Sequence, residues 1–513
     1  MRECGWRNKK RQFIRMMEIV ILMSLLIACS RSEDTAMSST DPSSEVTQSA
    51  ALTAAPTITP TPVPKMLYKG DGSKYEYTMT DERDRAWEED IVYFADRYLD
   101  PLGGHPKLID RGCEIGYMID IRNGFEELDV KYESLLNVEM REAFIAKINS
   151  LLLSISEKSD FELHCGCAEA AAILEDAHSC VWAFPDPEEA LFFPLELMPI
   201  YTDGEPNAYI VAAPEGMENL LLCRIDAIND IPLSAIIEKY GRLISHESMT
   251  WVQEMFFYYW DFRLTLNYDL LFYLGVVDES KTALFSLTDE DGTAWELELS
   301  CVQDDETLKM VDYQVLTEQD EAISRKLRSS NPDKTTWYSF LEDGTVLYIR
   351  AWRCTTDMDK PINEAVWAAE KTGSVKKVIL DFRNNGGGYD TAAGEIIKRI
   401  HSLDAEEGKY VLINGGSFSG AVSISTFIRR FGGDVLLVGS PAGQPPNGFF
   451  PRGVFVTPNG KLEVWLAANY CYYCWPDNDD PALMPDITVF QTLEDYKNGI
   501  DTVMKYLLRD SEE

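Results

Sequence analysis

The sequence predicts an α/β protein whose body has three parts: an N-terminal helical subdomain over 66–190, a β-rich middle segment over 191–335 and an α/β core over 336–513. Three observations lead there. From Thr345 onward short apolar runs alternate with amphipathic ones, as a mainly parallel sheet with helical crossovers requires. Residues 84–177 carry apolar side chains at helical spacing. Between these parts lie short strand-like runs separated by turn residues, without an internal repeat.

Composition narrows the classes of function. The 513 residues are 45% hydrophobic and 26% charged, which excludes a wholly disordered, collagenous or many-spanning membrane protein. Asp and Glu number 85 against 47 Lys and Arg, for a net charge of −38. Such a surface repels phosphate backbones, so no nucleic-acid partner is expected.

The N-terminus reads as an address. Arg2, Arg7, Lys9, Lys10, Arg11 and Arg15 precede the apolar run Ile19 to Ile27. That run is shorter than the ~20 residues of a spanning helix but suits a signal peptide. Leu26-Ile27-Ala28-Cys29 resembles a bacterial lipoprotein lipobox, which implies cleavage after residue 28, a diacylglycerol on Cys29 and an extracytoplasmic, membrane-anchored body. An ordinary signal peptide or a buried cysteine is the alternative. Residues 29–65, rich in Ser, Thr, Ala and Pro, read as a disordered tether.

In the helical part, Trp87, Ile91, Phe94 and Leu99 form one apolar stripe, and Phe144, Ile148, Leu151 and Leu152 form another. Asp160 is placed to cap a third helix through Leu174, before a strand at Cys180–Phe184. In the middle segment, Leu221–Leu233 reads as strand, turn and helix start. The core reads as strands at 345–352, 375–382, 410–413 and 435–438, with helices at 361–371, 391–400 and 420–430. Pro458-Asn459-Gly460 between Val454–Val456 and Leu462–Leu466 signals a hairpin. A helix over Leu493–Leu508 closes the chain.

Eleven cysteines, nine of them beyond Cys29, make no dense disulfide framework. Cys165-Gly166-Cys167 with His164, and Cys471 with Cys474, have zinc-ligand residue types. C-x-C is not the usual knuckle spacing and the two sites lie far apart, so buried thiols or an occasional disulfide are preferred. No metal site and no cofactor are expected.

Two glycine-rich strand-to-helix junctions can carry chemistry. Asp381-Phe382-Arg383-Asn384-Asn385-Gly386-Gly387-Gly388 offers backbone N–H groups that a substrate atom can approach without meeting a Cβ. Asn414-Gly415-Gly416-Ser417-Phe418-Ser419-Gly420-Ala421 sets Ser419 at a helix mouth, where developing negative charge is favoured. One junction supplies a nucleophile and the other an oxyanion donor. Phosphate binding is weakened by the absence of G-x-G-x-x-G and of a Walker lysine. An α/β-hydrolase elbow fails, because Ser417 and Ala421 stand where its glycines belong. A plain N-cap role for Ser419 stays open.

Three patches in this order resemble the C-terminal processing (tail-specific) and tricorn-type serine peptidases. Asp381 to Gly388 is similar to the family's D-x-R-x-N-x-G-G strand end, and Gly416 to Ala421 to its nucleophile turn. Pro485-Asp486-Ile487-Thr488-Val489 with Gly499-Ile500-Asp501 is similar to its closing signature. Upstream, Asp176-Ala177-His178-Ser179 resembles the D-x-H-[ST] motif of tricorn-like members. The resemblance implies a ClpP/crotonase-like core, peptide hydrolysis, and Ser419 as nucleophile with His178 as base. It also implies oxyanion donors at the N–H groups of Gly387 and Gly420. Asp479, six residues before Pro485, falls where tricorn-like members carry a glutamate and is the candidate third group, with a solvated turn as the alternative. Asp381 and Arg383 are expected to brace the strand end.

Two departures qualify this. The lysine of Ser–Lys members is replaced by Gln444, so the base must come from elsewhere; His178 is the candidate, its ordinary pKa of ~6.5 suiting proton transfer at neutral pH, with a histidine that only satisfies a local hydrogen bond as the alternative. His105, in His105-Pro106, reads as a capping or packing residue, and His164, His246 and His401 read as helix faces or loop. The segment 205–330 occupies the place of a PDZ-like module. Ile225 to Pro232 resembles that module's I-x-x-I-N-G-x-P turn, with Asp230 for Gly. The expectation is an extracytoplasmic, lipid-anchored serine endopeptidase acting on polypeptides. The alternative is a surface lipoprotein of similar fold that binds peptide or glycan without turnover.

Overall fold

In the computed structural model the described residues are 67–99, 137–182, 190–202, 204–259, 265–303, 308–315, 320–450, 452–467, 470–474 and 478–508. The signal segment, Cys29, the tether, His105 and Cys113 lie outside them. Among the described residues no helix is long and apolar enough to cross a membrane.

The helical part contains α1 (Glu82–Leu99), α2 (Val138–Ser154) and α3 (Asp160–Ala172). Trp87, Ile91, Phe94 and Tyr98 recur every three or four residues on α1 and are fully buried. Phe144 of α2 meets this stripe through Phe94 and Tyr98, each ring pair with centroids 5.7 Å apart. Burying such side chains contributes ~1.5–3 kcal/mol each. The cap of α3 differs from expectation: Ser159, not Asp160, forms a capping box with Glu162. Asp160 instead accepts from Arg83 Nε at 2.8 Å, Trp87 Nε1 at 2.9 Å and Lys461 Nζ at 3.1 Å.

A two-residue strand, β1 (Cys180–Val181), leaves the helices. The middle segment then builds an antiparallel sheet from β2 (Glu196–Thr202), β3 (Glu205–Pro214), β4 (Arg224–Ile228), β5 (Thr282–Thr288), β6 (Ala294–Ser300) and β7 (Met310–Asp312). The order is β7-β3-β4-β5-β6, with β2 also on β3. The turn after β4 holds Asn229 and Asp230 at φ 47° and 62°, the left-handed region that Asn and Asp tolerate. Two helices follow it, α4 (Leu233–Gly241) and α5 (Met249–Glu254).

The core runs β8 (Thr336–Leu341), β9 (Val346–Ala351), α6 (Asp359–Thr372), β10 (Lys377–Asp381), α7 (Ala393–Ser402), β11 (Lys409–Ile413), α8 (Gly420–Phe431) and β12 (Val435–Gly439). The chain then forms β13 (Asn447–Phe449), β14 (Arg452–Val456), β15 (Glu463–Ala467) and β16 (Tyr470–Tyr472), with β14 and β15 as a hairpin and β13 paired with β16, before the last strand of the sheet, β17 (Ile487–Thr488). Sheet order is β8-β9-β10-β11-β12-β17, parallel throughout except for β8 against β9. Every residue of β9 is buried, because helices cover both faces. Leu347 and Ile349 pack with Ile362, Val366, Ile396 and Val422. Val346 and Tyr348 face the other way, onto Val503, Met504 and Leu507. The expected single C-terminal helix is two, α9 (Leu493–Lys497) and α10 (Thr502–Leu508), because Gly499 takes a left-handed φ of 73°.

Several contacts tie the N-terminal part to the core, two of them on one hairpin. β1 pairs with β15, Cys180 opposite Trp465 and Val181 opposite Val464. Buried Asp90 of α1 accepts from Thr457 Oγ1 at 2.7 Å, Asn459 N at 2.9 Å and Lys461 N at 2.9 Å, closing the predicted hairpin turn from outside. Cys165 and Cys167 are buried thiols in α3, where desolvation raises both, and Cys471 donates to Phe450 O at 3.7 Å.

Candidate active site

The site lies beyond the carboxyl ends of β10 and β11, the position where open α/β sheets place ligands. A buried ion cluster fixes the end of β10. Arg383 Nη2 meets Asp381 Oδ2 at 2.7 Å, and Arg383 Nη1 meets Asp501 Oδ1 at 2.9 Å. Burial alone would raise the Asp381 carboxyl, but the Arg383 and Arg350 guanidiniums hold it well below the usual carboxylate range. Arg383 thus ties the strand end to the Gly499-Ile500-Asp501 segment.

Ser419 opens α8 with φ 52° and ψ −121°, a sparsely populated conformation for a residue with a side chain. Such a backbone costs on the order of 1–3 kcal/mol and persists only where its surroundings impose it. Here Phe418 N–H donates to Asn385 O at 2.9 Å, and Ser417 Oγ donates to Phe382 O at 2.9 Å. Ser419 N–H donates to Gln444 Oε1 at 2.6 Å. The strained serine turn therefore exists without the flanking glycines of a hydrolase elbow, with Ser417 and Ala421 both wholly buried in their places. The Ser419 side chain does not cap α8. Its Oγ lies 3.0 Å from His178 Nε2.

His178 reaches this point from the turn between α3 and β1. Asp176 shapes that turn: its Oδ1 accepts the His178 N–H at 3.0 Å and its Oδ2 accepts the Ser179 hydroxyl. Ser179 Oγ in turn accepts from Ala467 N at 3.0 Å, locking the turn to β15. The imidazole is buried between Phe418, with centroids 4.6 Å apart at 24°, and Phe450, 4.7 Å away. Phe418 stacks on Trp251 of α5 at 4.2 Å.

The carboxylates at the imidazole are not the one expected. Asp479 is exposed, between Asn478 and Asp480, which are joined by an Asn478 Nδ2 to Asp480 Oδ2 hydrogen bond of 2.8 Å. Asp176 Oδ1 lies 3.9 Å from His178 Nδ1, and donor atoms of Asp176, His178 and Glu247 all fall within 4.8 Å of one another. Burial, and then the Asp176 charge, raise the Glu247 carboxyl to about 8. One nitrogen and two oxygens are ligand types for a divalent cation, but Asp176 and Glu247 already accept N–H bonds from His178 and Ala177. The Asp176-x-His178 spacing was visible in the sequence, whereas nothing local marked Glu247.

The glycine loop also differs in detail. Gly387 N–H donates to Asn385 Oδ1 at 2.9 Å and so is engaged within the loop. The residue has to be glycine for another reason: at φ 94° its Cβ would stand 2.6 Å from Ser419 Cβ and 2.8 Å from Gly420 N. Among the described residues no acceptor engages the N–H of Gly388 or of Gly420. A Cβ on Gly420 would lie 3.2 Å from Gly388 N, so these two donors sit at one junction. His164, by contrast, bonds the carbonyls of Asp160 and Lys461 and packs edge-on against Trp87, away from this chemistry.

No family model matches the chain, and no curated protein matches it in sequence. Several solved structures are similar to it at low identity. Mature CPAF gives a TM-score of 0.47 at 11% identity, covering 78% of this chain and 96% of that one. The photosystem II D1 C-terminal processing protease gives 0.32 at 14% identity, over 84% of this chain and 99% of that one. Tricorn protease gives 0.38 at 12% identity, over 82% of this chain and 36% of that one. The structures to which this chain is similar include a C-terminal processing protease and tricorn protease.

Proposed function

We propose that this chain is an extracytoplasmic serine endopeptidase that hydrolyses polypeptides through a Ser419–His178 acyl-enzyme route. The observation that carries the reading is the 3.0 Å approach of His178 Nε2 to the Oγ of a strained Ser419. With Nδ1 protonated and turned toward Asp176, Nε2 accepts the Ser419 proton as Oγ attacks the scissile carbonyl carbon. The carbonyl oxygen becomes an oxyanion facing the Gly388 and Gly420 N–H groups. One such donor is worth roughly 2.7–4 kcal/mol. Collapse breaks the C–N bond as imidazolium returns its proton to the leaving amine. Water, deprotonated by the same imidazole, then releases the acid and restores Ser419.

Asp176, with Glu247 behind it, orients the imidazole in this scheme. The parallel core with its two glycine junctions supports a ClpP/crotonase-like arrangement. The β4–turn–α4 unit supports a PDZ-like role for the middle segment. Anchoring by lipid on Cys29 rests on the N-terminal motif. The test is reaction of the full chain with a serine-directed fluorophosphonate probe, followed by peptide mapping. Labelling of Ser419 that disappears in Ser419→Ala is expected. A folded wild-type chain that stays unlabelled would refute the reading.

A further inference from the structure

Gln444 is wholly buried and its side chain is divided in an unusual way. Oε1 accepts the Ser419 N–H at 2.6 Å, while Nε2 has no acceptor among the described residues. The orientation of the amide follows from chemistry, since only its oxygen can face an N–H donor. Its backbone is seated firmly: Leu483 N–H donates to Gln444 O at 2.8 Å, and the preceding Gly443 N–H donates to Ser417 O at 3.0 Å. The loop bearing Gln444 is therefore bonded to the nucleophile loop on both sides of Phe418.

We propose that Gln444 is a positioning residue for the nucleophile. Its carbonyl holds Ser419 in the left-handed backbone that turns Oγ toward His178. Two consequences follow from the geometry. The Ser419 N–H is spent on Gln444 and is not an oxyanion donor, which leaves that task to Gly388 and Gly420. Loss of the Gln444 oxygen lets the strained residue relax, and misplacement of a reacting atom by ~1 Å costs about 100-fold in rate.

The inference rests on the peptidase reading, and its test separates the two. Fluorophosphonate labelling of wild type at Ser419 tests the reading; only the ratio of variant to wild type tests Gln444. Gln444→Met removes both polar atoms at similar size and is expected to label 10- to 100-fold more slowly, with an unchanged melting temperature range for a folded chain. Gln444→Glu keeps an oxygen toward Ser419 N–H and is expected to label within about fivefold of wild type, rescuing what Gln444→Met loses. Labelling of folded Gln444→Met at the wild-type rate would overturn the positioning role. Should that variant not fold, Gln444→Glu decides: labelling no faster than the Ser419→Ala background overturns the role of the oxygen. A wild-type chain that never labels overturns both proposals together.

Discussion

Replacing Glu254 by Gln isolates one buried proton. Glu254 ends α5, is 6% exposed, and lays its carboxylate against the nucleophile loop. Oε1 accepts from Asn384 Nδ2 at 3.1 Å, and a Cβ on Gly416 would stand 2.6 Å from that oxygen and 2.8 Å from the Asn384 Cα, a backbone atom that leaves no room for a side chain there. Burial raises the carboxyl to about 8, outweighing the Asn384 hydrogen bond and the Arg328 charge, which lower it. The folded chain therefore keeps a proton that an unfolded glutamate releases near ~4.3. Between those values the folded state binds more protons, so its stability falls as pH rises. The contribution is complete below about 4.3 and is lost as pH rises through about 8. At ~1.4 kcal/mol per unit over the roughly 2.7 units from 4.3 to 7, the loss by pH 7 is on the order of 4 kcal/mol. Gln carries no such proton and still offers an oxygen to Asn384. Thermal midpoints of wild type and Glu254→Gln, taken from pH 5 to 8.5 at constant ionic strength, are expected to diverge, with the variant gaining as pH rises. A gap that stays constant or narrows with pH would refute the reasoning, because it would mean that the folded site already holds the carboxylate ionised.

The other predictions concern the catalytic geometry. Asp176→Asn is expected to lower kcat by about 100-fold or more through loss of imidazole orientation, whereas Asp479→Asn stays within about twofold; steady-state hydrolysis of an unfolded protein compares them. Gly387→Ala forces a left-handed φ that costs ~1–2 kcal/mol and drives a methyl into the Ser419 backbone, so both melting temperature and fluorophosphonate labelling should fall. Asp501→Ala leaves buried Arg383 without one of its two carboxylates and is expected to destabilise by about 3 kcal/mol in urea unfolding; a loss under 1 kcal/mol would show that Asp381 suffices alone.

Much of the fold was legible in the residues themselves. Fully apolar strands such as Val378-Ile379-Leu380 and amphipathic helices such as Ala393–Ser402 repeat with periods that local chemistry dictates. The Pro458-Asn459-Gly460 turn and the glycine junctions likewise announce themselves, because few residues tolerate those backbone angles. The break at Gly499 was missed, since one glycine inside an amphipathic run is ambiguous between a tolerated helix position and a left-handed stop.

Which groups meet was decided by tertiary structure alone. His178 and Ser419 stand 241 positions apart, and they touch because β1 pairs with β15 and Asp90 clamps the hairpin that carries it. The family resemblance pointed to Asp479, but that residue is exposed whereas the imidazole is buried; Asp176 reaches it from the turn before β1 and Glu247 from the bend before α5. Sequence could rank Gly387 as a donor from its neighbours, yet only the folded loop reveals that Asn385 takes its N–H and leaves Gly388 free. The residues of this chain determine its strands, helices and turns, because those depend on backbone sterics and local periodicity. The site depends on which surfaces pack together across hundreds of residues, and that is a property of the assembled core.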